Sequence, residues 1–201
     1  MTVYATTAQI KAALSIGTAD TASDALIGSA GTAASAMIDA YCGRTFGTAV
    51  TATRYYAADS WYVVRTDDFI GTATVETDEG ADGTWVTWGA GDSQSEPLNN
   101  IANGVSTPYN TIRAIGDYTF PLSSEALVRV TATFGRTAIP DAVSYAAILL
   151  AERLYKRVDS PLGVAGFGDM GAIRVSRYMD PDVELLLSPY RTGGNAFGGI
   201  A

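Results

Sequence analysis

Histidine is absent from the sequence, and cysteine occurs once, as Cys42. Histidine is the commonest general base and the commonest metal ligand in proteins. Its absence therefore excludes serine–histidine and cysteine–histidine nucleophile systems, together with the usual zinc sites. A lone cysteine cannot form a disulfide within the chain, which is typical of proteins that fold in a reducing cytoplasm. We expect no enzymatic activity, no cofactor and no metal.

Long apolar runs are missing as well. The longest one, Tyr145–Ala151, is far shorter than the ~20 residues that cross a bilayer. The N-terminus lacks the basic region and apolar run of a secretory signal. With 201 residues, of which 47% are hydrophobic and 17% charged, the chain can bury a core without a disulfide or a metal. The composition predicts a soluble globular protein with no membrane partner.

Positive charge is scarce: 13 Lys and Arg are outnumbered by 21 Asp and Glu, which gives a net charge of −8. An acidic chain gains no affinity for nucleic acid from counterion release, so we expect no binding to DNA or RNA. Solubility alone explains such a charge. The alternative is a surface along which DNA slides without sticking, and the sequence leaves both explanations open.

Helical periodicity lies toward both ends of the chain. The predicted helices are a short one capped by Thr6 or Thr7, one from near Thr21 or Ser23 to Gly43, one over Asp141–Val158, and a short one over Asp180–Leu187. We place Pro140 at the first position of the third helix. Gly28 and Gly31 weaken the second helix on propensity, but they let another helix approach closely. These helices are therefore expected to depend on packing.

Strand and turn signals fill the middle of the chain. The predicted strands are Trp61–Arg65, Thr72–Thr77, Thr84–Trp88, Thr111–Ile115 and Ala126–Phe134, with a later one at Ala172–Tyr178. Asp82-Gly83 indicates a hairpin, and Asn99–Pro108 a loop. The predicted fold class is α+β. It comprises a small helical bundle core (1–46 and 135–188), an inserted antiparallel β region (47–134) and an extended C-terminal arm (189–201).

Three patterns that suggest ligand chemistry have simpler explanations. Gly166–Gly171 matches the dinucleotide fingerprint, but a helix precedes it and a strand follows, the reverse of what phosphate binding needs. The acidic segment Thr77–Gly83 lacks the ligand spacing of a calcium loop and is better explained as a hairpin tip. A carbohydrate module using Trp61, Trp85 and Trp88 is disfavoured, since the last two fall on opposite strand faces.

The last thirteen residues, Pro189–Ala201, contain four glycines and almost no charge. Ordering each residue costs about 1–2 kcal/mol, so a fixed tail must gain contacts from another molecule. The candidate anchors are of residue types that dominate interfaces or fill pockets: Tyr190, Arg191, Phe197 and Ile200. The glycines permit strand addition along a partner edge. Disorder of the tail is the alternative.

Several segments resemble the head-to-tail connector (adaptor) proteins of long-tailed phages, particularly those infecting actinobacteria. The resembling segments are Ser23–Phe46 with its IDAYCGRTF ending, Ser95–Leu98, Arg113–Phe120 and the long run Val128–Arg191. The most specific parts are Asp159–Gly171 (DSPLGVAGFGDMG) and the closing DPDVELLLSPYR. The similarity spans nearly the whole chain.

The resemblance implies a virion structural protein at the head–tail junction, assembled in the host cytoplasm. Such an adaptor forms a ring, twelve-fold by resemblance, which docks on the portal and extends the DNA channel toward the stopper or tail-completion protein. DNA passes through without sequence-specific binding. The C-terminal arm carries the portal contact, with Tyr190, Arg191, Phe197 and Ile200 as its anchors. The resemblance assigns subunit contacts or channel lining to one loop: Asp159, Pro161, Phe167, Asp169 and Met170.

Two other functions remain as alternatives. A stopper or tail-completion protein of the same connector is also acidic and free of catalytic chemistry, but it lacks an arm that binds the portal. A carboxylate-based glycosidase needs two facing carboxylates, and the sequence identifies no such pair. The acidic pairs are better explained as turns or helix-start caps.

Overall fold

The structure is a computed structural model, and it describes residues 2–102, 104–159, 164–165, 173–174 and 180–192. It combines α-helices with an antiparallel sheet, so the predicted α+β class is confirmed. Two compact units divide the chain: Met1–Phe46 together with Ile139–Ala201, and Gly47–Ala138. We call them the helical unit and the β unit. Within the described residues, no helix is both long and apolar enough to cross a membrane.

In its described residues, the helical unit contains four helices whose starts follow local sequence signals. They are α1 (Thr7–Ala13), α2 (Asp24–Cys42), α3 (Asp141–Lys156) and α4 (Pro181–Leu187), with 3-10 turns at Arg157–Asp159 and Ser188–Tyr190. Thr6 and Gln9 form a reciprocal capping box at α1, and the Asp180 carboxylate caps α4. All four predicted helices are confirmed. Pro140 lies just before α3 instead of at its first position.

One core joins these helices. α2 contacts both α1 and α3, and α3 also contacts α4. The largest fully buried side chains of this core come from all four helices and from the segment after α2: Ile10, Ile27, Ile38, Phe46, Val143 and Leu187. Between them lie small side chains of α2 and α3: Ala30, Ala34, Ala146, Ala147 and Ala151. Small residues let helix backbones approach closely, and packing rather than propensity therefore stabilises α2.

The two glycines of α2 differ in their surroundings. A Cβ at Gly31 would lie 3.0 Å from Cδ1 of the buried Ile10 and 3.5 Å from the carbonyl oxygen of Ala5. A Cβ at Gly28 would meet no atom within 4 Å. The close approach expected at both glycines is therefore present at Gly31 alone.

A buried cation fixes the connection between α1 and α2. Lys11 is only 4% exposed, and its Nζ lies 2.8 Å from Oδ1 of Asp24. The same ammonium donates to the carbonyl oxygens of Thr18 and Asp20. Because a buried charge is costly unless it is paired and hydrogen-bonded, these three acceptors make the burial of Lys11 tolerable. The two backbone acceptors also tie the loop before α2 to Lys11.

The β unit contains one main sheet with the strand order β1-β8-β2-β7-β4, and every neighbouring pair is antiparallel. Its strands are β1 (Ala49–Tyr56), β2 (Val63–Thr77), β3 (Val86–Thr87), β4 (Ser93–Glu96), β5 (Ile101–Ala102), β6 (Val105–Ser106), β7 (Tyr109–Ala114) and β8 (Val128–Gly135). β3 pairs with the end of β2, and β5 pairs with β6 as a separate hairpin. In the helical unit, β9 (Val164–Ala165) pairs with β10 (Ile173–Arg174), the latter within the predicted strand Ala172–Tyr178.

Alternation along β8 separates a buried face from a polar one. Val128, Val130, Ala132 and Phe134 are buried, as predicted, while the residues between them lie on the opposite face. Trp88 completes this core: its ring stacks on Phe120 with centroids 4.6 Å apart, and its indole N–H donates to Thr77. The Trp88 side chain is thus a core element, which removes it from a carbohydrate-binding surface.

Four features of the β unit differ from the sequence predictions. β2 is one strand of 15 residues, not two, because register shifts on its two sides let it pair with β7 first and β8 later. The edge strands β1 and β4 were not predicted. The predicted loop Asn99–Pro108 contains the β5–β6 hairpin. The unit extends to Ala138 rather than Phe134, since Gly135 still pairs with Ala49.

The acidic hairpin tip is a structural turn in this fold. The hairpin predicted around Asp82-Gly83 is confirmed by the pairing of β2 with β3, although its loop is longer than two residues. The buried Asp78 carboxylate accepts from the backbone N–H groups of Asp82 and Gly83 at 3.2 and 2.8 Å. Its oxygens therefore hold the turn, as local carboxylate–backbone bonds commonly do.

Opposite stability changes are expected for the two α2 glycines. Gly28→Ala should raise the free energy of unfolding by about 0.5–1 kcal/mol, because it improves helix propensity in open space. Gly31→Val should lower it by about 1–3 kcal/mol, because the added atoms press on Ile10. Denaturant unfolding of both variants measures the difference. Equal effects of the same sign would contradict the packing described for α2.

Candidate docking site at the C-terminal segment

The carboxyl end of α2 is capped by a residue 150 positions later in the sequence. The last carbonyl groups of a helix have no partner within it. Here the backbone N–H and the hydroxyl of Thr192 both donate to the carbonyl oxygen of Cys42, each at 2.9 Å. Gly43 follows in the left-handed conformation with φ 65°, and its N–H donates to the carbonyl oxygen of Asp39. The capping bonds attach the C-terminal segment to the helical unit.

Glycine is required at position 43 for two reasons. A positive φ is costly for residues with a Cβ. In addition, a Cβ at Gly43 would lie 2.2 Å from Oγ1 of Thr192. Because Gly43 has no side chain, there is space for the Thr192 hydroxyl at the end of α2.

Aromatic contacts hold the residue before this cap. The ring of Tyr190 packs edge-on against Phe46 with centroids 5.9 Å apart, and Phe46 packs in the same way against Tyr4 at 5.6 Å. The Tyr4 hydroxyl donates to the carboxylate of Asp39 and accepts from the Phe46 N–H at 3.0 Å. Burial is the main cause that raises the pKa of Tyr4. The hydroxyl therefore stays protonated and remains a donor at neutral pH.

Arg191 completes the attachment on the exposed side. Its guanidinium carbon lies 4.9 Å from the ring centroid of Tyr41, within cation–π range. The Tyr41 hydroxyl in turn donates to Oε1 of Glu184 in α4 at 3.2 Å. Burial, and then the nearby Glu184 charge, raise the pKa of Tyr41. We call the contacts of Tyr190, Arg191 and Thr192 with the end of α2 and the residues after it the C-terminal clasp.

The clasp changes the expected position of the tail. The sequence places the start of an extended tail at Pro189, whereas Ser188–Tyr190 forms a turn and Thr192 is still bonded to α2. The chain stays in contact with the helical unit up to Thr192 for two reasons. Thr192 hydrogen-bonds the carbonyl group at the end of α2, and the ring of Tyr190 packs on Phe46. Nine further residues, 193–201, follow in the sequence.

The predicted site residues are only partly within the described chain. Tyr190 and Arg191 are brought together in the clasp. The other arm residues, Phe197 and Ile200, lie outside the described residues, as do four of the loop: Pro161, Phe167, Asp169 and Met170. The fifth, Asp159, ends the 3-10 turn after α3. Sequence reasoning missed Thr192 and its partners. Only the helix-ending signal of Gly43 pointed to this position.

Metal-binding chemistry has no visible basis in the described part of the chain. There, no three or more Cys, Asp or Glu side chains are grouped so that they could hold a metal ion. The half-buried carboxylate of Asp39 accepts from a tyrosine hydroxyl, and the buried one of Asp78 accepts from backbone N–H groups.

Comparison with known proteins gives a match in fold. Neither a protein-family model nor a curated protein sequence matches the chain. The fold is similar to a chain from the neck of an empty GTA particle, computed with C6 symmetry, at a TM-score of 0.55 and 18% identity. It is also similar to a chain from the virion of a native gene transfer agent (GTA) particle, at a TM-score of 0.51 and 21% identity. Each match covers 96% of this chain and 91% of the other.

The cap on α2 predicts strong coupling between Gly43 and Thr192. Gly43→Ala should lower the free energy of unfolding by roughly 1–3 kcal/mol, from the left-handed conformation and the crowded hydroxyl. In a Thr192→Ala background the same change should cost only about 1 kcal/mol, because the hydroxyl is gone. A double-mutant cycle by denaturant unfolding measures the coupling. Additive costs would show that Thr192 does not contact Gly43.

The clasp region also predicts a pH dependence. Burial raises the pKa of Asp39, although the Tyr4 hydrogen bond opposes the shift. An acid whose pKa is raised on folding favours the fold while protonated, and this stability is lost as pH rises through the raised value. Asp39→Asn keeps an acceptor for Tyr4 but cannot ionise. Its stability relative to the wild type should therefore increase from about pH 4 to about pH 7. A constant difference across this range would contradict the assignment.

Proposed function

We propose that this chain is a structural subunit of a phage-like neck, and more narrowly a head-to-tail adaptor without catalytic activity. The observation that carries the proposal is the fold, which matches a chain from a gene transfer agent neck over 96% of the sequence. The sequence resemblance to the adaptors of long-tailed phages, in particular those of actinobacteriophages, supports the narrower role. The protein acts at the head–tail junction of the virion after assembly in the host cytoplasm.

The helical unit is the proposed body of the adaptor, a small helical bundle from which the C-terminal arm reaches the portal. The clasp supports this role because it gives the arm a fixed origin at Thr192. Tyr190 is half-buried against its own chain, so in this proposal Tyr190 and Arg191 mainly hold the origin of the arm. Phe197 and Ile200 then make the portal contact. An ordered origin lowers the entropy that binding must overcome.

A ring follows from the same proposal. Twelve copies form it, a number compatible with the six-fold symmetry of the neck in which the similar chain was found. The ring extends the DNA channel toward the stopper or tail-completion protein. We propose that part of the net charge of −8 faces the channel, where it repels phosphates and lets DNA pass without sequence-specific binding. The loop containing Asp159, Pro161, Phe167, Asp169 and Met170 makes subunit contacts or lines this channel.

Removal of residues 193–201 tests the portal contact. The truncated chain should stay folded, because the clasp is intact, but should lose binding to purified portal and leave particles unable to join tails. Phe197→Ala with Ile200→Ala should weaken portal binding, since anchor residues carry most interface energy. Asn195→Ala, in the same segment, should bind as the wild type does. Co-sedimentation with portal rings measures all three.

The same experiment separates the adaptor from its alternative. A truncated chain that still binds portal but no longer joins tails would indicate a stopper or tail-completion protein. Normal heads and tails in particles that lack the chain altogether would refute a neck function of any kind.

A further inference from the structure

The first described residues of the chain lie outside any helix or strand, yet they are held against α2. Tyr4 and Ala5 are only 3% and 1% exposed. The Tyr4 backbone N–H donates to Oγ of the buried Ser35 in α2 at 3.0 Å. The Ala5 carbonyl oxygen lies 3.5 Å from the position that a Cβ at Gly31 would take. Contacts with α2 therefore hold residues 2–5, which we call the N-terminal strap.

Tyr4 connects this strap to the end of α2 and to the residues that follow it. Its hydroxyl donates to the Asp39 carboxylate and accepts from the Phe46 backbone N–H at 3.0 Å. Its ring lies edge-on to the ring of Phe46, with centroids 5.6 Å apart. The bond to the Phe46 N–H is buried, and a buried N–H that loses its acceptor is costly. The Tyr4 hydroxyl therefore helps to fix the position of Phe46.

Phe46 also contacts the C-terminal clasp. It is fully buried, and the ring of Tyr190 lies edge-on to it with centroids 5.9 Å apart. Four residues before Phe46, the Cys42 carbonyl oxygen accepts both hydrogen bonds of Thr192. The short segment 42–46 thus contacts the strap and the clasp together. Because closely packed side chains transmit displacements, a shift of Phe46 changes the packing of Tyr190 as well.

We propose that Tyr4 is a positioning residue for the C-terminal arm: the strap fixes Phe46, and Phe46 fixes the clasp at which the arm begins. This inference deepens the proposed function and rests on it for the role of the arm at the portal. The coupling acts in both directions, as thermodynamic linkage requires. Loss of the strap contact loosens the origin of the arm, and a partner that draws Tyr190 away from Phe46 loosens the strap.

Hydrogen exchange of single backbone amides in the intact chain tests the coupling. Tyr4→Phe keeps the ring but removes the hydroxyl, so the Phe46 N–H loses this acceptor. Exchange of the Thr192 N–H, which is bonded to the Cys42 carbonyl oxygen, should become roughly three- to ten-fold faster, the effect of about one lost hydrogen bond. NMR measures the rate. Exchange of Thr192 at the wild-type rate would overturn the proposal.

A second amide distinguishes positioning from a general loss of stability. The Ile27 N–H is bonded to the Ser23 carbonyl oxygen at 2.9 Å, at the other end of α2. In Tyr4→Phe this amide should exchange as in the wild type, because the strap contacts that the hydroxyl makes lie at the carboxyl end of the helix. An equal increase at Ile27 and Thr192 would show a purely structural role for Tyr4 and would also overturn the proposal.

Tyr155→Phe is the matched control. It too removes a tyrosine hydroxyl from the helical unit, one that donates to Oγ of Ser23 at 3.0 Å. Ser23 precedes the first residue of α2, whereas Thr192 caps its last. The Thr192 amide should therefore exchange in Tyr155→Phe at the wild-type rate. Acceleration as large as that in Tyr4→Phe would mean that the loss of any such hydroxyl loosens the clasp, which contradicts a specific role for Tyr4.

The reverse measurement covers the case in which Tyr4→Phe fails to fold. Tyr190→Ala removes the ring that packs on Phe46, and it should speed exchange of the Tyr4 N–H, which is bonded to Ser35. The Ile27 amide again serves as the reference. Unchanged exchange of the Tyr4 N–H in this variant would show that clasp and strap are independent.

Binding to purified portal rings separates this inference from the proposed function. Tyr4→Phe should weaken portal binding by up to the factor seen in exchange, because a loosened origin raises the entropy that binding must overcome. If the amides respond as expected but the wild-type chain does not bind portal, the coupling is supported and the adaptor role is refuted. If the wild-type chain binds portal but the amides do not respond, only the coupling is refuted.

Discussion

The helical unit depends on the burial of α2. Between Asp24 and Asp39 this helix carries no charged residue. Its two glycines lower its helix propensity, and a helix of this length has little stability in isolation. It is stable because α1 and α3 cover it, and because other segments bond to its ends and side. Lys11 holds Asp24 at the amino end, Tyr4 holds Asp39, and Thr192 caps Cys42 at the carboxyl end. The C-terminal segment is thus attached to the helix that α1 and α3 both contact.

Local signals predicted the helices well, because caps and helix-ending residues act over a few positions. Thr6, Gly43 and Asp180 each mark a helix end in the sequence and do so in the structure. β8 was recognised by its alternation. The edge strands gave no such signal: β1 is mostly exposed along both faces, and β4 consists of polar residues. The sequence of an edge strand is less constrained by packing than the sequence of a central strand.

The candidate site was predictable only in part, because the sequence shows residue types but not contacts between distant segments. Tyr190 and Arg191 were identified as contact-forming residue types, yet their contacts with Phe46 and Tyr41 lie about 150 residues away in the chain. No periodic or capping pattern encodes such a pairing. The fold comparison, at 18% and 21% identity, shows a shared fold. The sequence resemblance and the fold match both extend over nearly the whole chain.

The insertion of the β unit into the helical unit has a consequence for synthesis on the ribosome. Gly47–Ala138 is continuous in the chain, so it emerges whole and is able to fold as a unit during translation. The first helical segment emerges earlier, but α3 and α4 come last. The apolar surface of α2 that packs on α3 therefore stays uncovered while the 92 residues of the β unit are synthesised. Exposed apolar surface promotes aggregation of nascent chains, so protection of α2 by a chaperone during that interval would favour correct folding.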